Sequence, residues 1–368
     1  MNILIAPNAF KGSLTALEVA DIIKSSLLKT KLNFDCRTLP IADGGDGTFD
    51  VLLEHYLGAK HIVSTYDLID RHIDAPLFIT EQGTAIIEMA HVAGLSLLKP
   101  SEYNPLNTHT YGLGDLIHSA LDLNCTKIIL AIGGSGTLDM GFGALRALGF
   151  RFLDKDGNEL KGGGGDLKAI VEINTQNFDS RLLLVDFQIA CDVDNPLLGE
   201  FGAAHVFGKQ KGATNEEIIQ LAENHQHFAQ LIQKQYHIDI STTKHGGAAG
   251  GIAAGLHALC GAKLLSGSQL VSECLNMDEA LEQCDVLITG EGRIDSQSSY
   301  GKAPYVLAQK AKLIGKRVIA FCGSSEHLVN SPFDHVIPIK KEGQSLHEAM
   351  KFAQKNLESA VLYNVHLL

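Results

Sequence analysis

Seven acidic residues stand among small residues beside predicted strand ends: Asp43, Asp46, Asp139, Asp192, Asp194, Glu291 and Asp295. Phosphoryl transfer needs groups of this kind. One or two carboxylates hold Mg2+ together with the substrate phosphates, and another orients the attacking hydroxyl. Any one of these acids could equally be a turn or N-cap residue; the seven together point to a metal–phosphate site. Glycine-rich segments accompany them. Gly133-Gly134-Ser135-Gly136-Thr137 fits a phosphate cradle best, because backbone N–H groups in a glycine turn entering a helix favour an anion. The same glycines would also serve a plain tight turn. Local positive charge is the third element: Lys11 before a helix start, Lys209 and Lys211 flanking Gln210, and Arg293 after Gly292. A cation near transferred phosphoryl charge, or opposite a substrate carboxylate, is what such chemistry requires. Lys209 fits a solvated surface residue better.

These groups need elements to position them, and the apolar pattern supplies a set. Ile3-Leu4-Ile5-Ala6 is a continuous apolar run suited to a parallel strand covered on both faces. Thr15-Ala16-Leu17-Glu18 has capping-box spacing, and Val19, Ile22, Ile23 and Leu27 follow with helical period. A second strand is predicted near Phe34–Leu39, leading to Asp43-Gly44-Gly45-Asp46-Gly47-Thr48. Such a β-α-β unit implies a parallel sheet. Three later apolar runs, 127–132, 286–289 and 318–321, pass into 133–137, 290–295 and 323–325. Four strands thus end in loops rich in Gly, Ser, Thr, Asp and Glu, and ligands in open α/β sheets bind beyond such carboxyl ends. Residues 61–90 read instead as hairpins. Further helices are predicted after Thr214-Asn215-Glu216-Glu217, near Pro304, and after Ser345-Leu346-His347-Glu348.

The pattern predicts an α/β protein: a mostly parallel, three-layer Rossmann-like domain and a second α/β domain. The first is assigned to residues 1–60 and 284–368, with 105–135 as a candidate addition. The second is assigned to 61–283, chiefly 136–283.

Several chemistries are excluded. Gly301-Lys302 is followed by Ala303 and lacks the first glycine of a phosphate-binding P-loop; Gly290-Glu291-Gly292 does not complete GxGxxG, since Asp295 stands where the third glycine belongs. Neither a GxSxG elbow nor an HExxH zinc pair is present. A net charge of −12 argues against a nucleic-acid binder. The seven cysteines form no CxxC pair and read as reduced core residues. Met1–Ala6 enters a strand with no charged leader, and Ile252–Leu265 is too short and too polar to span a bilayer. A cytoplasmic protein without a membrane role is expected. Histidine is plentiful; His109 and His205 lie in or near candidate loops, whereas His225 and His227 read as solvated or satisfied on an amphipathic helix.

In order along residues 2–325, several segments resemble the bacterial glycerate kinase family. They are Ile5-Ala6-Pro7-Asn8-Ala9-Phe10-Lys11-Gly12-Ser13-Leu14, Ala42–Thr48, Asn104-Pro105-Leu106 with Thr110-Tyr111-Gly112, and Ile132-Gly133-Gly134-Ser135. Ala190-Cys191-Asp192-Val193-Asp194-Asn195-Pro196-Leu197-Leu198-Gly199 and Thr289–Asp295 continue the likeness. The resemblance implies ATP as donor, Mg2+, D-glycerate as acceptor, and a two-domain α/β architecture with the site in the inter-domain cleft. On this reading Gly133, Gly134 and Ser135, with Gly290, Glu291 and Gly292, are expected to hold the nucleotide phosphates. Asp192 would orient the attacking hydroxyl, and Asp43 and Glu291 would hold the metal. Lys11 would neutralise transferred phosphate or the glycerate carboxylate, and Ser13, Arg293 and Asp295 would meet substrate. Partners are then small molecules, and homo-oligomerisation is left open. The chain departs from the family pattern at Asn8-Ala9 (for Asp-Ser), at Leu138 (for Asn), at Met140 and Phe142 (for small residues), and at His109 and Leu113 (for Ser or Thr). Two other readings remain: Gly44-Gly45-Asp46-Gly47-Thr48 is also a signature of NAD and diacylglycerol kinases, and the departures suit a hydroxy-acid sensor without catalysis.

Overall fold

Ile3, Leu4 and Ile5 are all buried, so the first strand is covered on both faces as its unbroken apolar run requires. A computed structural model describes residues 1–30, 32–296, 298, 301–326 and 331–368. Its strands, in chain order, are β1 (Asn2–Ile5), β2 (Asp35–Thr38), β3 (Gly58–Tyr66), β4 (His72–Thr80), β5 (Thr84–Glu88), β6 (Lys127–Ala131), β7 (Arg151–Leu153), β8 (Glu172–Asn174), β9 (Asp186–Cys191), β10 (Lys263–Ser266), β11 (Val286–Ile294), β12 (Arg317–Ser325) and β13 (His335–Pro338). The chain divides into two compact units, one of residues 1–43, 50–55 and 268–368, the other of residues 44–49 and 56–267. Residues 268–283 thus belong to the first unit. Residues 105–135, offered above as an addition to the first domain, lie in the second unit, because β6 pairs with β5 and β9 there.

The first unit holds a five-stranded sheet in the order β13-β12-β11-β1-β2, parallel throughout. Ile3, Ile5, Ile288 and Phe321 face one way and pack with Val19, Ile23 and Leu27 of the helix Ala16–Leu28 and with Leu357 and Val361 of the helix Ala353–Tyr363. Leu4, Leu287 and Ala320 alternate to the opposite face, where the helices Met277–Gln283 and Ala303–Leu313 lie. That is the three-layer arrangement expected. Capping boxes at Thr15–Glu18 and Ser345–Glu348 start their helices as the spacing predicts.

One expectation is corrected here. The runs at 286–289 and 318–321 do not end in loops at Gly290 and Gly323; β11 and β12 continue paired to Ile294 and Ser325. The glycines sit inside the ladder because the strands approach closely there. A Cβ at Gly290 would lie 1.9 Å from the Phe321 carbonyl oxygen, and one at Gly323 would lie 2.4 Å from that of Gly292.

The second unit holds a six-stranded sheet, β10-β9-β6-β5-β4-β3, and the small pair β7-β8. Strands β10, β9, β6 and β5 run parallel, and β5-β4-β3 form the antiparallel meander predicted for residues 61–90. The long helix Asn215–Tyr236 is capped by Thr214 and Glu217 as expected, and no helix among the described residues is long and apolar enough to cross a membrane. Five of the seven cysteines are buried.

Candidate functional site

In the first unit the chemistry gathers where the strand order reverses. From β1 the chain continues to β2 on one side, whereas β11, β12 and β13 extend on the other. The crevice beyond the carboxyl ends at such a switch is where ligands bind in this architecture. Asn8 follows β1 there, and its N–H donates to the Gly290 carbonyl at 2.8 Å. Its side-chain amide donates to Asp43 Oδ2 at 3.3 Å. Glu291, buried within β11, accepts from Ser298 Oγ at 2.9 Å and from Lys302 Nζ at 3.0 Å. Burial pushes the Glu291 carboxyl above its ordinary pKa; the Lys302 ammonium and the Ser298 hydroxyl pull it back, and the Asp43 charge adds to the rise. At position 8 an amide therefore supports Asp43 where an aspartate would have repelled it.

Of the other predicted residues of this unit, Ser13, Arg293 and Asp295 have partners of their own. Lys11 is exposed in a tight turn whose backbone abuts β11, since a Cβ at Gly292 would lie 3.2 Å from the Lys11 nitrogen. Ser13 donates to the Phe10 carbonyl and closes that turn. Arg293 pairs with Asp295 at 3.0 Å and with Glu326 at 2.5 Å, so it would meet a substrate carboxylate only by giving one of them up.

In the second unit three distant segments meet at the carboxyl ends of β6 and β9. A Cβ at Gly133 would lie 2.3 Å from Gly45 Cα and 3.2 Å from Asp192 Oδ2; one at Gly134 would lie 2.1 Å from Asp46 Oδ1. Two carboxylates, Asp46 and Asp192, thus stand over the glycine turn. Asp192 is exposed, and His245 Nδ1 donates to the neighbouring Val193 carbonyl at 2.8 Å, anchoring the segment. Asp194 turns to His245 and Lys244 instead. The Gly133 N–H donates to the Gly44 carbonyl at 3.0 Å and that of Gly136 to Ala93 at 2.8 Å. A cradle using the Gly133 N–H is therefore corrected: that donor holds the loops together, leaving the Gly134 N–H, in a left-handed turn (φ +74°), and the Ser135 hydroxyl as the groups to meet an anion.

Asp139 does not belong to this cluster. It is fully buried and accepts four hydrogen bonds, from Thr110 N and Oγ1, Gly141 N and Gly143 N. Leu138, Met140 and Phe142 are likewise buried in the core of this unit, so those departures alter packing and leave the polar groups alone. His109 also serves structure, accepting from Tyr111 N and lying 3.1 Å from Asp70. His225 is buried rather than solvated, its Nε2 on the Leu138 carbonyl at 2.9 Å, and burial lowers its pKa to about 4.

Three polar groups of these sites had no place in the sequence reading, and a fourth, Lys211, was named there only as a local cation. Glu88, at the end of β5, accepts from the N–H groups of Gly47 and Phe49 and so shapes the 44–48 loop. Its position at the end of an apolar run was the available signal. Lys302 was set aside with the failed P-loop, although it stands just before Pro304 at a helix start. Ser298 gave no signal. Lys211 is wholly buried, with its ammonium on Ser135 Oγ at 2.6 Å and on the Thr137 carbonyl at 2.8 Å.

Residues 3–367 match the model of the glycerate kinase family. The chain is 41% identical over 363 residues to the glycerate kinase of Halalkalibacterium halodurans, covering 97% of this chain and 96% of that protein. It is 39% identical over 362 residues to the glycerate 2-kinase of Escherichia coli, covering 97% and 95%. A crystal structure described as a glycerate kinase 2 from Salmonella typhimurium LT2 aligns with a TM-score of 0.88 at 38% identity, covering 100% of this chain and 98% of that one.

Proposed function

Because this chain belongs to the glycerate kinase family, and is therefore a kinase, we propose that it transfers the γ-phosphoryl group of ATP to the 2-hydroxyl of D-glycerate. The observation that carries the residue assignment is the pair of carboxylates, Asp46 and Asp192, over the Gly133-Gly134-Ser135 turn. Asp192 accepts a hydrogen bond from the attacking hydroxyl and takes its proton as the bond to phosphorus forms. The Gly134 N–H and the Ser135 hydroxyl meet phosphoryl oxygens. Lys11, exposed and with no close ion pair among the described residues, supplies positive charge to the transferred phosphate or the glycerate carboxylate.

Asp43 and Glu291 are the residues that would hold Mg2+. They offer hard oxygen donors, and no cluster of three or more acidic, histidine or cysteine residues able to hold a metal occurs among the described residues. Two carboxylates suit an ion that keeps several waters and shares substrate phosphates. When bound, Mg2+ neutralises charge on the phosphate oxygens. The site tolerates this at a cost, since Glu291 is a buried carboxylate whose raised pKa marks the ionised form as disfavoured in the free protein. A carboxyl raised on folding stabilises below its unfolded pKa and loses that contribution as pH rises through the folded value. Glu291→Gln copies the protonated form. Its Tm at pH 7.5 is expected to be no lower than that of the parent, with the difference narrowing toward pH 4. Its Mg2+ requirement should rise by about 10- to 100-fold. A lower Tm with unchanged Mg2+ dependence would refute the assignment.

Coupled ADP release with D-glycerate, followed by phosphorus NMR of the product, tests the reaction. Formation of 3-phosphoglycerate would correct the position of attack, and ligand-induced stabilisation without ADP release would favour a sensor. Gly133→Ala tests the turn, since its Cβ meets backbone that cannot yield cheaply. The KM for ATP should rise at least about tenfold, one such factor being about 1.4 kcal/mol.

A further inference from the structure

Lysine is rarely buried whole, and Lys211 is buried beneath the turn assigned to phosphate. It closes the short turn Lys209–Lys211, followed by Gly212 in a left-handed conformation (φ +94°), and a Cβ at Gly212 would lie 2.5 Å from Tyr103 Cβ. Its stem passes Phe207, with the ammonium 5.8 Å from the ring centre. The ammonium ends on Ser135 Oγ and the Thr137 carbonyl. An ammonium has three donors and no acceptor. Ser135 Oγ must therefore accept from Lys211, and its own proton is left to point elsewhere, toward whatever the turn receives.

We infer that Lys211 is a positioning residue for phosphoryl transfer: from beneath the turn it fixes Ser135 as an outward hydrogen-bond donor and carries the positive charge that balances a bound phosphoryl group. This rests on the reading of residues 133–137 as a phosphate turn.

The surroundings of the ammonium agree with an anion as the missing partner. The charged groups acting on it are Asp192 and Asp139; Asp139 is already satisfied by four donors, and Asp192 is exposed. His225 also packs nearby and is neutral at pH 7. Among the described residues the Lys211 ammonium bonds to a hydroxyl and a carbonyl, and burial draws its pKa down to about 7 despite the two aspartates. In the free enzyme the charged form is thus kept below about pH 7 and given up as pH rises. An arriving phosphate favours the charged form again.

The test uses the full chain with ATP, Mg2+ and D-glycerate, comparing Lys211→Met, Lys211→Arg, Ser135→Ala and the double variant Lys211→Met/Ser135→Ala. Thermal melts establish that each is folded. Lys211→Met and Ser135→Ala are each expected to lower kcat/KM for ATP by about 10- to 100-fold, and the double variant by no more than the worse single one, because both act through one hydroxyl. The parent's kcat/KM for ATP should fall with unit slope above about pH 7. Lys211→Arg, charged at every pH, should hold a flat profile to pH 9. Losses that multiply in the double variant, or an alkaline limb that persists in Lys211→Arg, would overturn the inference. Should Lys211→Met not fold, the Lys211→Arg profile alone decides. If Ser135→Ala and Gly133→Ala both leave the KM for ATP unchanged, the phosphate-turn reading itself has failed. If they raise it while Lys211→Met matches the parent, only the role of Lys211 is lost.

Discussion

Asp192→Asn is expected to lower kcat by about 10²- to 10⁴-fold, the range for loss of a positioned general base, with little change in stability. Asparagine fills the same space and still accepts a hydrogen bond from the glycerate hydroxyl, but it cannot take the proton. Ground-state binding should persist, so KM for D-glycerate changes far less than kcat. Asp192 is exposed past the end of β9, and the backbone of its segment is anchored by His245 on the Val193 carbonyl and by Gly247 N on the Asn195 carbonyl. Surface changes of this kind stay within about 0.5 kcal/mol. Steady-state ADP release and a thermal melt on the same sample suffice. A kcat within threefold of the parent's (about 0.6 kcal/mol in barrier) removes Asp192 from the chemistry.

Asp139→Ala should show the opposite profile. Its carboxylate accepts from Thr110 N and Oγ1 and from the N–H groups of Gly141 and Gly143 at the start of the helix Phe142–Ala147. Truncation strands four buried donors at once. Each stranded donor costs about 1–3 kcal/mol, though such costs do not simply add. A total of about 3–5 kcal/mol is expected, as for breaking a buried charged network. Urea unfolding measures it, and a loss under about 1 kcal/mol would contradict the structural role. Where the variant remains folded, at low temperature, kcat should stay within a few-fold of the parent. Asp192 and Asp139 look alike in the sequence, each an acid among small residues after a buried strand. Burial and partners alone separate them.

Much of this molecule was legible beforehand. Unbroken apolar runs marked β1, β6 and the start of β11, because a strand covered on both faces has no polar side to show. Thr15, Thr214 and Ser345, each with glutamate three residues on, marked helix starts because that pair satisfies two otherwise unpaired N–H groups locally. Other features had no local signature. Gly290 and Gly323 read as turn residues, yet they allow β11 and β12 to lie close, and the need for them comes from a partner strand about thirty residues away. Lys211 stood out only as a local positive charge beside Lys209, because nothing near it in the chain reveals that Ser135 and Thr137, some seventy residues earlier, close over it. Residue types, spacing and short-range capping thus determined the elements and the kind of chemistry. Tertiary structure decided which of seven acids face solvent beside a glycine turn, which one is spent on backbone donors, and which lysine lies beneath the turn. Burial and long-range hydrogen bonds are properties of the folded chain, and they set the charge and the availability of each group.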